Sequence, residues 1–299
     1  MSVIPKQLFH TGQYALTLPE GHKFPRQKYG MLRDLLAQQG LFELRSAPLA
    51  EQNAIELAHD PVYVRQFLSG TLSASAMRRI GFPWSEMLVK RSLASVGGTI
   101  SAAIEALNTG WGVTLGGGTH HALRSEGAGF CVFNDIAVAI QTLRASGRIQ
   151  RAAVIDLDVH QGDGTAEIFH KDSEVFTVSI HCRSNFPFRK QHSALDVDLP
   201  DRVADEEYLR CVDQVLPEIF SFNPDIIFYQ SGVDALYSDA LGHLSLTHAG
   251  LIERDLRVMQ AVCSHGIPLV LTLGGGYSRP IELSVEAHAN TYRTMHKVF

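Results

Sequence analysis

The hydrophobic and polar positions of the chain follow two alternating patterns. Short apolar runs rich in branched residues recur at 111–122, 151–160, 173–181, 224–234 and 268–278. Segments with helical spacing stand between most of them, among them NDIAVAIQTLRASG, ADEEYLRCVDQVLPEIFSF and THAGLIERDLRVMQAVCSHG. Near-continuous apolar strands that alternate with helices predict a mostly parallel sheet covered by helices on both faces. Ligand sites in such sheets lie beyond the carboxyl ends of the strands.

The first ninety residues are predicted to be irregular apart from two helices and the start of a third. FPRQKYGMLRDLLAQQGL has apolar residues near helical spacing, and a second helix is expected from Asp60-Pro61, a pair that suits a helix start. The pattern is helical again over 85–110, where NTG predicts the helix end. We find no repeat and no linker, so a single domain over residues 1–299 is expected.

Composition narrows the functional classes. The chain has 299 residues, of which 45% are hydrophobic and 19% charged, which is ordinary for a globular protein. A net charge of -5 argues against a nucleic-acid binder or a general binder of anionic membranes. No apolar run is long enough to predict a membrane span, and the N-terminus lacks the order of a secretory signal. Four scattered cysteines without a CxxC pair favour free thiols and a cytoplasmic location.

The segment VIDLDVHQGDGTAEIF carries candidate metal ligands. Asp156, Asp158 and His160 alternate along a strand or its extension, so they are expected to share one side of it. Oxygen and imidazole donors suit a catalytic zinc or iron, and Asp234 could add a third carboxylate after a later strand. A single Asp at a strand end is more often a cap or turn former. Three such positions together favour a cation, because buried unpaired charges are costly.

A pair of histidines follows three glycines in LGGGTHHA. One of His120 and His121 could act as general base on a metal-bound water, and the other as an acid or electrostatic partner. Each needs a carboxylate that fixes its tautomer, and Asp156 and Asp163 are available. The alternative is a structural role for either histidine.

A second glycine run precedes Tyr277 in LTLGGGYS. It matches neither GxGxxG nor the P-loop pattern, so a phosphate-binding loop is not favoured. Tyr277 could hydrogen-bond a developing oxyanion, and the alternative is a packed aromatic with a bonded hydroxyl.

Together these motifs resemble the zinc-dependent histone deacetylase family, which has the arginase/deacetylase fold. The resemblance spans nearly the whole chain and is strongest from Gly97 to Tyr277. It rests on GGGTHHA, on GFCVFND, on DLDVHQGDG and on the positions of Asp234 and Tyr277. The short chain, YQSGVDAL and LGHLSLTHAGLIERD are most similar to the class IV branch and its bacterial relatives. The resemblance implies a single α/β domain with three layers, α/β/α, around a mostly parallel eight-stranded sheet.

The resemblance also implies a role for each motif residue. Asp158, His160 and Asp234 would bind Zn²⁺, or Fe²⁺ in the cell. His121 would be the general base and acid, and His120 its electrostatic neighbour. Asp156 would orient His120, Asp163 would orient His121, and Tyr277 would polarise the amide carbonyl.

Further positions follow from the same resemblance. The substrate tunnel would be lined by Gly129, Phe130, Gly275 and either Phe186 or Phe188, of which Phe186, before Pro187, fits better. A structural K⁺ or Na⁺ would be bound by Asp156, Asp158, His160, Ser179 and the backbone carbonyl of Ile180. A peripheral cation site would use backbone carbonyls near Phe169, Asp172 and Val175.

The activity implied is zinc-dependent amide hydrolysis that removes an acyl group, acetyl or longer, from lysine in a protein or peptide. Many relatives that act on protein tails carry an aspartate where this chain reads RIGFPWSEML, and Glu86 does not match it. One alternative is a deacetylase of acetylpolyamines or other small acylated amines, which the lack of a long insertion disfavours. A catalytically silent acyl-lysine-binding module and an arginase-like binuclear hydrolase are further alternatives. The order DxDxH, rather than DxHxD, favours one metal. The oligomeric state is not predicted.

Overall fold

One parallel sheet organises the protein, whose computed structural model describes residues 6–299. Its strands are β1 Lys6–His10, β2 Phe42–Ser46, β3 Trp111–Leu115, β4 Ala152–Asp156, β5 Val175–Cys182, β6 Leu195–Leu199, β7 Ile226–Gln230 and β8 Leu269–Thr272. The eight strands are hydrogen-bonded in the order β2-β1-β3-β8-β7-β4-β5-β6, and all seven pairings are parallel. The carboxyl ends of all strands therefore lie along one edge of the sheet.

Helices cover both faces of this sheet. They are α1 Gln27–Gln39, α2 Gln52–Ile55, α3 Pro61–Leu68, α4 Ala74–Ile80, α5 Glu86–Thr109, α6 Asp135–Ala145, α7 Asp163–Phe169, α8 Asp205–Ser221, α9 His248–Ser264 and α10 Glu282–Val298. Successive side chains of a strand belong to different cores: Ile155 packs with residues of α8, α9 and α10, and Val154 packs with residues of α5 and α6. This alternation is what a sheet between two helical layers requires.

Local chemistry explains several helix boundaries. Asp60 Oδ1 accepts hydrogen bonds from the Val62 and Tyr63 N–H groups at 2.7 and 3.2 Å, and Pro61 is the first residue of α3. Ser85 Oγ accepts from the Leu88 N–H at the start of α5, which ends at Gly110 with φ +90°. The boundaries predicted from the sequence for these two helices are close to those observed.

The predicted three-layer α/β fold is confirmed, with two corrections. The first ninety residues are not merely irregular between helices, because β1 and β2 lie there and extend the sheet beyond β3. In β1 only Leu8 is fully buried, so this strand has no continuous apolar run to reveal it. The second correction is that β4 ends at Asp156, so Asp158 and His160 lie on the bend after the strand.

No helix among residues 6–299 combines the length and apolarity needed to cross a membrane.

Candidate metal centre and active site

Four neighbouring strands deliver the predicted site residues to one cavity. β3, β8, β7 and β4 are consecutive in the sheet, and the segment after each of them lines the cavity. These segments contribute His120 and His121 after β3, Asp158 and His160 after β4, Asp234 after β7, and Gly275 and Tyr277 after β8. Residues far apart in the chain therefore meet at the carboxyl edge of the sheet, as expected for parallel sheets.

Asp158, His160 and Asp234 form a compact buried group of possible ligands. One ligand atom from each lies within 4.8 Å of the others. His160 Nδ1 is 3.0 Å from Asp158 Oδ1 and 3.1 Å from Asp234 Oδ2. Burial and the charge of Asp158 raise the pKa of Asp234 to about 7. Two buried carboxylates beside an imidazole form an oxygen and nitrogen donor set that fits a divalent cation such as zinc.

Backbone groups orient both carboxylates. The Gly275 N–H donates to Asp158 Oδ2 at 2.7 Å, and the Val159 N–H donates to Asp234 Oδ1 at 2.9 Å. Among residues 6–299, neither carboxylate has a lysine or arginine salt-bridge partner. One oxygen of each carboxylate is thus fixed by the chain while the other faces His160.

Each of the adjacent histidines has a carboxylate partner of its own. His120 Nδ1 is 2.6 Å from Asp156 Oδ2, and His121 Nδ1 is 2.6 Å from Asp163 Oδ1. The two rings are 4.1 Å apart between centroids. Asp156 is the last residue of β4 and Asp163 the first of α7, so the two partners approach the histidine pair from different elements.

The two histidines differ in protonation. Burial lowers the pKa of His120, but the negative charges of Asp156 and Asp158 more than offset it and raise the pKa to about 9. Burial and the neighbouring His120 lower the pKa of His121 to about 4, against the hydrogen bond to Asp163. At neutral pH His120 therefore carries a proton on both nitrogens, whereas His121 is neutral and can accept a proton.

The turn that presents the histidines depends on a residue that sequence reasoning did not assign to the site. Gly117 and Gly118 both have φ +70°, which a side chain disfavours. Asp135 accepts hydrogen bonds from the Gly118 N–H at 3.1 Å and the Thr119 N–H at 2.7 Å. Asp135 is the last residue of the GFCVFND motif, and this motif was the one sequence feature that could have indicated its role.

Tyr277 lines the cavity and has a protonated hydroxyl. Burial, with Tyr29 and Asp234 nearby, raises the pKa of Tyr277 well above its usual range. Its backbone N–H donates to Asp239 Oδ2 at 2.6 Å, which fixes the segment after Gly275. The hydroxyl is therefore available as a hydrogen-bond donor.

Aromatic rings wall the entrance to this group. Gly129, Phe130, Phe186 and Gly275 line the cavity, and the Phe130 ring is 6.3 Å from that of Tyr277. The Phe186 ring packs edge-on against His121 at 4.8 Å, whereas Phe188 is 88% exposed. Of the two predicted alternatives, Phe186 therefore lies in the cavity. Cys131 of the GFCVFND motif also lines it, as do Phe24, Tyr29 and Leu241, which the sequence had not singled out.

Several of the residues expected to bind monovalent cations lie on β4 and β5 or next to them. Asp156 and Ser179 are neighbours across β4 and β5, and Ser179 is hydrogen-bonded to His181 Nδ1 at 2.9 Å, while buried Ile180 follows on β5. At the peripheral position the Asp172 carbonyl accepts from the Val175 N–H, and the Phe169 carbonyl from the Asp172 N–H. Both cation sites stay predictions.

Comparisons with known proteins agree with this arrangement. Residues 22–292 match the family model described as the histone deacetylase domain. The chain is 32% identical to histone deacetylase 2 of Arabidopsis thaliana over 86% of this chain and 70% of the relative. It is 31% identical to the acetoin utilization protein AcuC of Staphylococcus aureus, over 85% of this chain and 72% of the relative.

Two further matches cover almost the full chain. An uncharacterized protein of Picosynechococcus is 42% identical over 96% of this chain and 97% of its own length. The crystal structure of the HDA15 HD domain has a TM-score of 0.81 at 20% identity, covering 99% of this chain and 90% of that one, which supports the fold. The matched family supports a deacetylase, hence a hydrolase, as the class of activity, and the chain belongs to the histone deacetylase family.

Proposed function

We propose that the protein is a zinc-dependent amidohydrolase that removes acetyl or longer acyl groups from lysine side chains. One observation carries the proposal. A neutral His121, paired with Asp163, lies in the same buried cavity as the ligand group Asp158, His160 and Asp234. A neutral imidazole beside a cation site is what activation of water requires.

The ligand group would hold the metal through two carboxylates and one imidazole. Zinc bound there would lower the pKa of water and polarise the acyl carbonyl. The fixed carboxylate oxygens of Asp158 and Asp234 favour this role, because backbone N–H groups already orient them. Fe²⁺ would suit the same donors.

His121 takes the proton from the attacking water. Its Nδ1–H is directed to Asp163, which leaves Nε2 as the accepting atom. His120 keeps its proton through Asp156, so it adds positive charge beside the reacting carbonyl. One of the two histidines then donates a proton to the leaving amine, which gives lysine and a carboxylate.

Tyr277 supplies the remaining electrostatic stabilisation. Its protonated hydroxyl donates to the oxygen that gains negative charge as water attacks the carbonyl. Phe130 and Phe186 provide apolar walls for the neutral acyl-lysine chain. The charged amine of free lysine is disfavoured between such walls, so deacylation aids product release.

The charge of the entrance favours lysine in a protein or peptide over an acylated polyamine. A groove beside Leu241 and Tyr277 is lined by Lys23 and Arg279, both exposed. Positive side chains at this position repel a polycationic substrate. A silent acyl-lysine-binding module would need no base of the kind that His121 and Asp163 form.

The test is turnover of lysine peptides acylated from acetyl to myristoyl, with acetylpolyamines in parallel, by the zinc-loaded enzyme. We expect deacylation of at least one peptide, a loss of about 10²–10⁴-fold in His121→Ala with zinc still bound, and no loss in the exposed control His192→Ala. Equal failure of every substrate, or full activity of His121→Ala, would refute the proposal. Turnover of the polyamines alone would refute lysine as the substrate.

A further inference from the structure

A second group of metal-ligating side chains lies at the carboxyl edge of the sheet, outside the active-site cavity. Cys182 ends β5, Asp201 follows β6, and His243 lies between β7 and α9. The Cys182 sulfur, a carboxylate oxygen of Asp201 and an imidazole nitrogen of His243 all lie within 4.8 Å of one another. We call these three residues the Cys182 cluster, and none of them lines the active-site cavity.

A serine hydroxyl contacts all three members of this cluster. Ser184 Oγ is 2.5 Å from Asp201 Oδ1 and 2.7 Å from His243 Nδ1. It is 3.7 Å from Cys182 Sγ, which is itself 3.3 Å from Asp201 Oδ1. A sulfur, a nitrogen and two oxygens from four side chains therefore surround one small volume.

This arrangement is unsuited to nucleophilic catalysis by serine. Asp201 contacts the serine hydroxyl directly and lies 3.9 Å from His243 Nδ1, whereas a catalytic triad needs the acid bonded to the imidazole. The donor set instead fits a transition metal of the zinc type, which binds thiolate, imidazole and carboxylate together. Cys182 is buried, and the side chains of Asp201 and His243 are about half exposed, so an ion can reach the cluster from solvent.

We propose that the Cys182 cluster is a second transition-metal site. The ligands are Cys182 Sγ, one carboxylate oxygen of Asp201 and His243 Nδ1, with the Ser184 hydroxyl or a water in the fourth position. Binding displaces the thiol proton to solvent and breaks the hydrogen bonds that Ser184 makes with Asp201 and His243. The inference does not rest on the proposed function, because no active-site residue takes part.

The position of the site gives the metal a structural role at the tunnel entrance. The His243 N–H donates to Asn185 Oδ1 at 3.0 Å, and Asn185 Nδ2 donates to the carbonyl of Leu241 at 2.6 Å. Leu241 and Phe186 line the active-site cavity from the same two loops. A metal bound by Cys182 and His243 would therefore join the loop that carries Phe186 to the loop that carries Leu241.

Cobalt binding followed by absorption tests the site directly. The active-site ligand group contains only oxygen and nitrogen, so a thiolate-to-cobalt charge-transfer band in the near ultraviolet reports the Cys182 cluster alone. We expect the saturated band in the wild type to correspond to about one thiolate-bound cobalt ion per chain. It should be absent in Cys182→Ser and retained in Cys263→Ser, a cysteine that is exposed elsewhere.

The half-exposed His243 offers a variant that leaves the core intact. In His243→Ala, half saturation of the band should require at least about 10-fold more cobalt, because one of three protein ligands is lost. The proposal is overturned if saturating cobalt gives no such band in the wild type, or if the band persists in Cys182→Ser.

Limited proteolysis tests the structural consequence. Arg183 and Arg189 are exposed trypsin sites in the loop that carries Phe186. Zinc should slow cleavage there in the wild type and in Cys263→Ser, but much less in His243→Ala. Equal protection in His243→Ala would show that the cluster does not connect the two loops.

Discussion

Replacing Gly275 by alanine should destroy the proposed active-site metal centre through a single added methyl group. A Cβ at this position would lie 1.9 Å from Asp234 Oδ2 and 2.8 Å from Asp158 Oδ2. Ordinary contacts begin at 3.4 Å, so relief of the first overlap alone requires a displacement of about 1.5 Å. Metal–ligand distances tolerate only about ±0.2 Å, so Asp234 cannot keep its position as a ligand.

The expected effects are large on metal binding and moderate on stability. We expect zinc affinity to fall at least about 100-fold and activity to fall with it, since one ligand is displaced and a second is crowded. Overpacking of this kind costs about 1–3 kcal/mol in the free energy of unfolding. Zinc affinity is measured by competition with a chelator, and folding by circular dichroism and urea unfolding.

Gly30→Ala is the matched control. A Cβ at Gly30, within α1, meets no atom within 4 Å and needs no unusual backbone angle. Alanine there should leave zinc binding unchanged and raise helix stability by about 0.5–1 kcal/mol. If folded Gly275→Ala bound zinc as tightly as Gly30→Ala, then Asp158 and Asp234 would not be ligands of one metal.

Three further outcomes follow from the site and its surroundings. Asp163→Asn should lower turnover by about 10²–10⁴-fold with zinc retained. The asparagine amide can donate to His121 Nδ1, which moves the histidine proton to Nε2. An unchanged kcat would contradict this. Tyr277→Phe should lower kcat by about 10²–10³-fold while zinc affinity, measured by chelator competition, stays the same. Burial lowers the pKa of His59 to about 4 against its usual 6.5. Neutral His59 therefore contributes about 3 kcal/mol to the free energy of unfolding above pH 6.5, and this contribution is lost as the pH falls toward 4. Urea unfolding of His59→Gln should therefore depend less on pH over this range than that of the wild type, and equal slopes would exclude His59 as the cause.

The central part of the fold was predictable because burial on both faces gives β3, β4, β5, β7 and β8 apolar runs. β1 and β2 lie toward one side of the sheet and β6 at the other edge, with fewer buried positions, so their sequences mix polar and apolar residues. The short helix α7 was also missed, since seven residues give too little periodicity.

The predicted site residues do meet, but for a different geometric reason in one segment. The alternation of Asp156, Asp158 and His160 is not the pleat of a strand, because β4 ends at Asp156. The bend that follows separates their contacts: Asp156 binds His120, whereas Asp158 and His160 face Asp234. Motif spacing and the family resemblance therefore predicted both the residues and their division into histidine partners and metal ligands, whereas the bend that separates the two groups was visible only in the three-dimensional structure.

The Cys182 cluster had no comparable signal in the sequence. Cys182 and Asp201 are 19 residues apart, and Ser184 and His243 are 59 apart, on three different loops. No short motif encodes such a spacing, and composition alone treats Cys182 as one of four scattered thiols. Only the parallel arrangement of β5, β6 and β7 places these side chains at the same edge of the sheet.

Charge balance links the proposed active-site metal to the fold itself. Asp156, Asp158, Asp163 and Asp234 are all buried at the carboxyl edge of the sheet. Positive charge near them comes from protonated His120 and from Lys28, whose pKa burial lowers to about 8. A divalent cation would offset the remaining negative charge and take the place of a proton on His160, whose pKa the carboxylates of Asp158 and Asp234 raise to about 10 against burial. The same buried acids that make the site chemically active therefore create a cost that a bound cation relieves, so metal binding should stabilise the folded protein as well as activate water.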